Sequence, residues 1–344
     1  MIPENEINRI KEELDNCKRP LFFFHDDADG LSSFLLLYRY KNEGKGVVVK
    51  THPRMDIRSV RKVTEYQPDK IFILDVPIVE QDFFDNVLKM KIPTIWIDHH
   101  DPADVKGILY FNPRKHNPKD DACITRVCYE VVKQDLWIEM TGSVGDWQKS
   151  SHWDEFAEKY PNLLPKEIKN QEDALFRSRL GELVKIFSFV LKGKTEDIIN
   201  CMKVLTRVKD PYEILDRTTS QGNFVYKRYE KIKTYYDELL QNALHRVRKG
   251  KFFIFVYKGE RFSFSSELAN EILYRNPSKI ILVGREKGGE IKYSIRGSHI
   301  LIPPILKKAL EGTSGYGGGH EHACGACVKA DENERFIDQF KKAL

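Results

Sequence analysis

The stretch T-I-W-I-D-H-H, residues 94–100, decides how the rest of the chain is read. A short apolar run leads straight into three ligand-type side chains, Asp98, His99 and His100. Successive side chains in a strand point to opposite faces, so a strand interior has little use for this triplet. At a strand end, where the chain opens into a loop, the same residues can offer a carboxylate and two imidazoles to one site.

Three more motifs fall at comparable places. F-F-F-H-D-D-A-D-G (residues 22–30) puts His25, Asp27 and Asp29 at the exit of an apolar run, with Gly30 permitting the turn. Period-two spacing would point the three the same way. K-I-F-I-L-D-V-P (residues 70–77) ends on Asp75, and Pro77 stops a regular ladder from continuing. T-G-S-V-G-D-W-Q (residues 141–148) sets Asp146 between Gly145 and Trp147, a position that serves equally as a helix cap or a ligand. Singly, each has a plain alternative in a turn or cap. Together they cost too much repulsion and desolvation unless a cation neutralises them.

Carboxylates with imidazoles suit manganese, and also magnesium, iron or zinc. Six candidates exceed the protein share of one ion. They fit two ions roughly 3.5–4 Å apart bridged by a carboxylate, an arrangement that hydrolyses phosphoesters.

Around these motifs, strand signals alternate with helical ones, as in V-V-V-K, then V-E-Q-D-F-F-D-N-V-L-K-M, then I-L-Y-F-N. That order predicts an α/β fold with a mainly parallel sheet, whose ligands gather beyond the carboxyl ends of the strands. The pattern turns helical from about Trp147 to Arg248. A second α/β unit opens with K-F-F-I-F-V-Y and closes on a Gly-rich loop, S-G-Y-G-G-G-H-E-H-A-C-G-A-C-V, and a terminal helix. The expected division is a metal-binding catalytic domain over 1–195, a helical connector over 196–249 and a smaller substrate-binding α/β domain over 250–344.

The 344 residues suffice for two cores, and 41% hydrophobic with 31% charged residues suits a globular chain. No apolar run reaches the roughly 18 residues of a membrane span, and the N-terminus has no apolar leader core, so a cytoplasmic location and no membrane partner are expected. A net charge of +5 permits a nucleic-acid partner without arguing for one. Among six cysteines only Cys324 and Cys327 have metal or redox spacing; with no second C-x-x-C, small residues in the closing loop are the plainer reading.

The order H-x-D-x-D-G, D-V-P, D-H-H, G-D-W resembles the DHH phosphoesterase superfamily. The later S-I-R-G and G-G-G-H-x-x-A-x-G resemble its associated C-terminal domain. The resemblance implies that His25 and Asp27 hold one divalent metal ion, that Asp29, His99 and Asp146 hold the other, and that Asp75 bridges them. It gives Asp98 an orienting role, mainly in support of His99, and has His100 contact the scissile phosphate or assist proton transfer. In the second domain it implies that Arg296 clamps a phosphate, that Gly317, Gly318 and Gly319 offer main-chain amides to another, and that His320 binds the substrate's phosphate or terminal nucleotide.

Family II pyrophosphatases carry H-x-x-x-D-x-D, which would place the histidine at Phe23; here it is His25. The shorter spacing is similar to RecJ-type exonucleases, compact archaeal ones especially. It implies manganese-dependent hydrolysis of single-stranded DNA or RNA to nucleoside 5′-monophosphates by two-metal activation of water, with a replication or repair protein as partner. Trp147, Tyr293 and Tyr316 are candidates to stack on bases. The alternatives are a phosphodiesterase of short oligonucleotides or cyclic dinucleotides, and a non-catalytic replication or repair scaffold.

Overall fold

The computed structural model describes residues 1–50, 54–259 and 261–344. They divide into two compact units, Met1–Tyr229 and Glu230–Leu344.

The first unit opens with helix α1 (Glu4–Asp15) and the strand β1 (Pro20–His25). Helix α2 (Ala28–Lys41) and strand β2 (Lys45–Val49) follow, then the short β3 (Arg54–Met55) and helix α3 (Val60–Tyr66). Next come β4 (Lys70–Leu74), the short β5 (Ile78–Val79), α4 (Gln81–Lys89), β6 (Thr94–Ile97) and β7 (Leu109–Phe111). Five of the strands form one parallel sheet in the order β2-β1-β4-β6-β7, while β3 and β5 pair separately. The central strands are apolar through their middles because both faces are covered; Phe22, Phe23, Phe24, Ile71, Phe72 and Ile73 are all buried. Trp96 stacks on Tyr110 and packs against Phe84 of α4 in one of these faces.

The strand order reverses between β1 and β4, since the chain leaves β1 for one edge and returns past it to build the other. In an open parallel sheet the crevice at such a reversal is where ligands bind. Register places the motifs there. Phe24 pairs Leu74, Leu74 pairs Ile97, and Ile97 pairs Phe111. The next residue on each strand, His25, Asp75, Asp98 and Asn112, therefore forms one row across the carboxyl end of the sheet.

Helix α2 is buried over ten consecutive residues, Ala28–Leu37, among them the polar Asp29, Ser32 and Ser33. It is covered by α5 (Ile124–Val132) and α6 (Leu136–Gly145). Gly30 lets its first turn pass close to β1: a Cβ there would lie 2.4 Å from the His25 carbonyl oxygen. Six more helices complete the helical stretch: α7 (Trp153–Lys159), α8 (Gln171–Arg177), α9 (Arg179–Val190), α10 (Thr195–Leu205), α11 (Pro211–Leu215) and α12 (Ser220–His245). The 26-residue α12 carries the division between the two units. Among the described residues no helix is long and apolar enough to cross a membrane.

The second unit holds β8 (Phe252–Lys258), α13 (Ser265–Arg275), β9 (Ile280–Lys287), β10 (Glu290–Gly297), α14 (Ile302–Leu310), β11 (Tyr316–His320), β12 (Ala323–Lys329) and α15 (Asn333–Lys342). Its sheet runs β11-β12-β10-β9-β8, with β8 and β9 parallel and the rest antiparallel. Alternate residues of β10 (Ile291, Tyr293, Ile295) meet Ile302 and Leu306 of α14 and Phe336 and Phe340 of α15 in one core. The segment expected as a Gly-rich loop is thus the β11–β12 hairpin, and α14, started by Pro303 and Pro304, is a helix that the sequence pattern does not announce.

Candidate metal centre

Three overlapping groups of three side chains converge at the sheet's carboxyl end, one of them Asp75 with His99 and His100. His25, Asp27 and Asp75 each place a ligand atom within 4.8 Å of the others, and Asp29, His99 and Asp146 do the same. Asp75 reaches both: Oδ2 lies 3.4 Å from His25 Nδ1, and Oδ1 lies 3.3 Å from His99 Nε2. Its backbone takes a left-handed φ of 57°, which turns the side chain out of the strand. Asp tolerates this conformation better than most residues.

The strand alternation expected for His25, Asp27 and Asp29 is not what gathers them. β1 stops at His25, Asp27 caps α2 by accepting from the Gly30 amide at 2.9 Å, and Asp29 sits in the helix's first turn. Capping bends the chain at once from strand to helix. Asp29 is held in turn by α5, whose Ile124 and Thr125 amides donate to its two oxygens at 2.9 and 2.7 Å. A carboxylate at a helix N-terminus is a favourable placement for its charge.

The supports of the central triplet also differ from expectation. Asp98 is wholly buried and holds His100, not His99: its oxygens accept from His100 Nδ1 at 2.9 Å and from the His100 amide at 3.0 Å. His99 Nδ1 donates instead to the Asp121 carbonyl at 2.9 Å. Because a carbonyl only accepts, this fixes the proton on Nδ1 and leaves Nε2 for a metal. Buried Asn112 donates to the His100 carbonyl at 3.0 Å. Asp121, Thr125 and Asn112 carry no signal in the sequence: Asp121 acts through its carbonyl, Thr125 through its amide and hydroxyl on Asp29, and Asn112 is a neutral amide at a strand end.

Charge and satisfaction both fit a cation. Two buried atoms, His25 Nδ1 and Asp75 Oδ2, lack a hydrogen-bond partner. Yet Asp27 Oδ2 lies only 2.6 Å from that Nδ1, out of line for a hydrogen bond. Burial opposes a charged His25, but Asp27 and Asp75 outweigh it and lift its pKa well above the ordinary histidine value. Burial is likewise outweighed at His99, by Asp75 and Asp146. Burial, with Asp75 beside it, pushes Asp29 up to about 7, and burial raises Asp146 despite the neighbouring His99. Only Asp75 is held low, because the two imidazoles beside it overcome its burial. The cluster is short of positive charge, and His25, Asp27, Asp75, Asp29, His99 and Asp146 are the residues that could hold divalent ions to supply it.

In the second unit, Arg296 is fixed by neutral oxygens: Nε donates to Asn270 Oδ1 at 2.7 Å, Nη2 to Ser266 Oγ at 2.8 Å and Nη1 to the Ile295 carbonyl at 3.0 Å. Burial draws its pKa down to about 10. On the edge strand β11, a Cβ at Gly317 would meet the Gly325 carbonyl at 2.6 Å and one at Gly319 the Ala323 carbonyl at 2.4 Å, whereas Gly318 has nothing within 4 Å. His320 is exposed at the end of the same strand. Of the aromatic candidates, Tyr316 is 59% exposed and Trp147 half-buried against Phe176. Tyr293 is not available for stacking: it is a core residue whose hydroxyl donates to Asn333 at 2.7 Å. Cys324 and Cys327, three apart on β12, point to opposite faces and cannot share a metal.

Residues 21–152 match the DHH family, N-terminal domain, and residues 250–344 match the DHHA1 domain. The chain carries a DHH-family N-terminal domain and a DHHA1 domain, the two domains of a DHH phosphoesterase. Its DHH fold is similar to RecJ of Thermus thermophilus solved with Mn2+, at a TM-score of 0.71 and 16% identity over 98% of this chain and 54% of that one. An exonuclease RecJ bound to manganese matches at 0.62 and 16% over 98% and 93%. A DHH domain described as belonging to a family of ribosomal proteins matches at 0.66 and 15% over 98% and 88%. At these identities the likeness is one of fold, and the chain spans about half the length of the Thermus protein. A search of curated protein sequences returns no match.

Proposed function

We propose that this DHH-family chain is a two-metal exonuclease that trims single-stranded DNA or RNA to nucleoside 5′-monophosphates. The observation that carries the reading is the pair of three-residue groups joined through Asp75. His25, Asp27 and Asp75 would hold one ion, and Asp29, His99 and Asp146, with Asp75 again, the other. Bound divalent ions, manganese foremost, would neutralise the phosphoryl oxygens and make water a competent nucleophile at neutral pH. The H-x-D-x-D-G spacing and the manganese in the RecJ structures support this choice over other DHH substrates.

The chain's own residues supply the remainder. Asp98 fixes His100 through Nδ1, so Nε2 is the nitrogen offered to the phosphoryl group or the departing 3′ oxygen. Arg296, already oriented by Asn270 and Ser266, and the backbone at Gly318, where no side chain or neighbour blocks approach, would bind phosphates, with His320 at the terminal nucleotide. A cytoplasmic setting and a replication or repair protein partner belong to the same reading.

The test is a time course on 5′- and 3′-labelled single strands of DNA and RNA, from dinucleotides to long oligomers, with a cyclic dinucleotide alongside, all with manganese. Mononucleotide released from the first time point on long strands is the expected result. Cleavage confined to two- or three-residue strands or to the cyclic dinucleotide would move the substrate to that class. Absence of manganese-dependent hydrolysis across the set would end the reading.

A further inference from the structure

Helix α6 ends in an unusual turn. Asp146 closes it, Trp147 takes a left-handed φ of 60°, and the Gln148 amide returns to the Ser143 carbonyl at 2.8 Å. Glycine is the ordinary occupant of that left-handed position, because a side chain there is strained. Holding a tryptophan in it keeps Gln148 doubled back beside Asp146.

The Gln148 side chain then makes three hydrogen bonds. Nε2 donates to Asp146 Oδ2 at 3.0 Å and to the Asp121 carbonyl at 2.5 Å, and Oε1 accepts from the Cys123 amide at 3.0 Å. Each leads to one member of the same ligand group. Asp146 is a member. The Asp121 carbonyl is the acceptor that fixes His99 Nδ1. Cys123 caps α5, whose next two amides grip Asp29. Two acceptors at one end of the amide and a donor at the other leave only one orientation for it. Among the described residues the other group has no such tie: His25 Nδ1 lacks a hydrogen-bond partner, and Asp27 accepts from its own helix.

We propose that Gln148 is the positioning residue of the Asp29–His99–Asp146 group, holding all three ligands in place before the metal arrives. The proposal rests on the two-metal reading above. Through Gln148 the second ion is bound by a site braced from outside its own ligands, whereas His25, Asp27 and Asp75, though already close together, share no such brace. A neutral amide suits the task, since a carboxylate would repel Asp146 and a cation would compete with the metal.

Manganese titration of the whole chain by calorimetry, with free ion followed by electron paramagnetic resonance, tests this. Gln148→Met keeps the length and loses the bonds; Gln148→Asn keeps the amide but is one methylene too short to span them. In both, one of two manganese equivalents should weaken about 10- to 100-fold, as loss of a ligand's supporting hydrogen bonds does, while the other stays within about threefold. The manganese concentration for half-maximal turnover should rise in step, with kcat at saturation nearly unchanged. A wild-type isotherm in either variant, or equal weakening of both equivalents, overturns the proposal. Should neither variant fold, proton exchange at the Gln148 side-chain amide of the wild type decides: protection supports the role, and exchange as fast as an exposed glutamine's overturns it. A wild type that binds fewer than two ions would instead bring down the two-metal reading, and this inference with it.

Discussion

The carboxyl end of the parallel sheet and the glycine hairpin of the second unit offer polar groups in opposite ways. At the sheet end the groups are side chains, and Asp29, Asp75 and Asp98 are almost fully buried. Along the hairpin strand the three central residues have no side chain, and the whole strand is exposed. Gathered carboxylates must be held against their own repulsion, so hydrogen bonds to main chain and amides fix them one by one. A strand that offers amide groups needs only steric room, so the constraint there is shape. Changes at the sheet end should strike turnover, and changes in the hairpin should strike substrate affinity or stability.

The sharpest way to break that contrast is Asp75→Ala. Removing the shared carboxylate should lower turnover on the order of 10³-fold or more, beyond what one lost transition-state hydrogen bond costs. The wild type should melt higher with manganese and this variant should not, since an ion stabilises only a fold that binds it. A variant that still turns over at a tenth of the wild-type rate would remove Asp75 from the centre.

Next in size is His100→Ala. Turnover should fall by about 10²-fold, the lower end for a lost acid–base group, with both manganese equivalents retained in the titration. Loss of an ion in this variant would make His100 a ligand instead, which its place near Asp75 and His99 allows geometrically.

On the hairpin, Gly319→Ala forces a Cβ against the Ala323 carbonyl and should cost roughly 1–3 kcal/mol, the range for overpacking, read as a lower melting temperature with kcat unchanged. Gly318→Ala is the smallest change and the most discriminating. Its Cβ meets nothing in the protein, so the melting temperature should hold. KM for single strands should rise by a few-fold, about what is lost when one hydrogen bond near 1 kcal/mol is weakened. If KM also holds, the open face of the strand does not meet the substrate.

Much of the sheet end was legible because ligand-type residues directly follow apolar runs, and the parallel register aligns those runs. His25, Asp75 and Asp98 stand in one row for that reason. The local geometry was less legible. Strand alternation was the wrong reason for grouping His25 with Asp27 and Asp29, because a capping bond at Gly30 starts the helix immediately. Asp98 pairs with its neighbour two residues on, while the group that fixes His99 is a carbonyl with no side-chain signature. Gln148 reads as a polar residue after a helix, and only the left-handed Trp147 ahead of it turns it inward. In the second unit, three glycines suggested a loop because their role in close strand pairing depends on Ala323 and Gly325 across the hairpin.

The row across the sheet also has a consequence in time. His25, Asp75 and His99 belong to strand ends far apart in the chain, and Asp146 closes a helix that follows the last strand of that sheet. Contacts of such long sequence separation form late, after local helices and hairpins. During refolding, helical signal should therefore return well before the chain can capture manganese. An ion in the refolding buffer should leave the early phases untouched and act only on the last, once β1, β4 and β6 stand side by side.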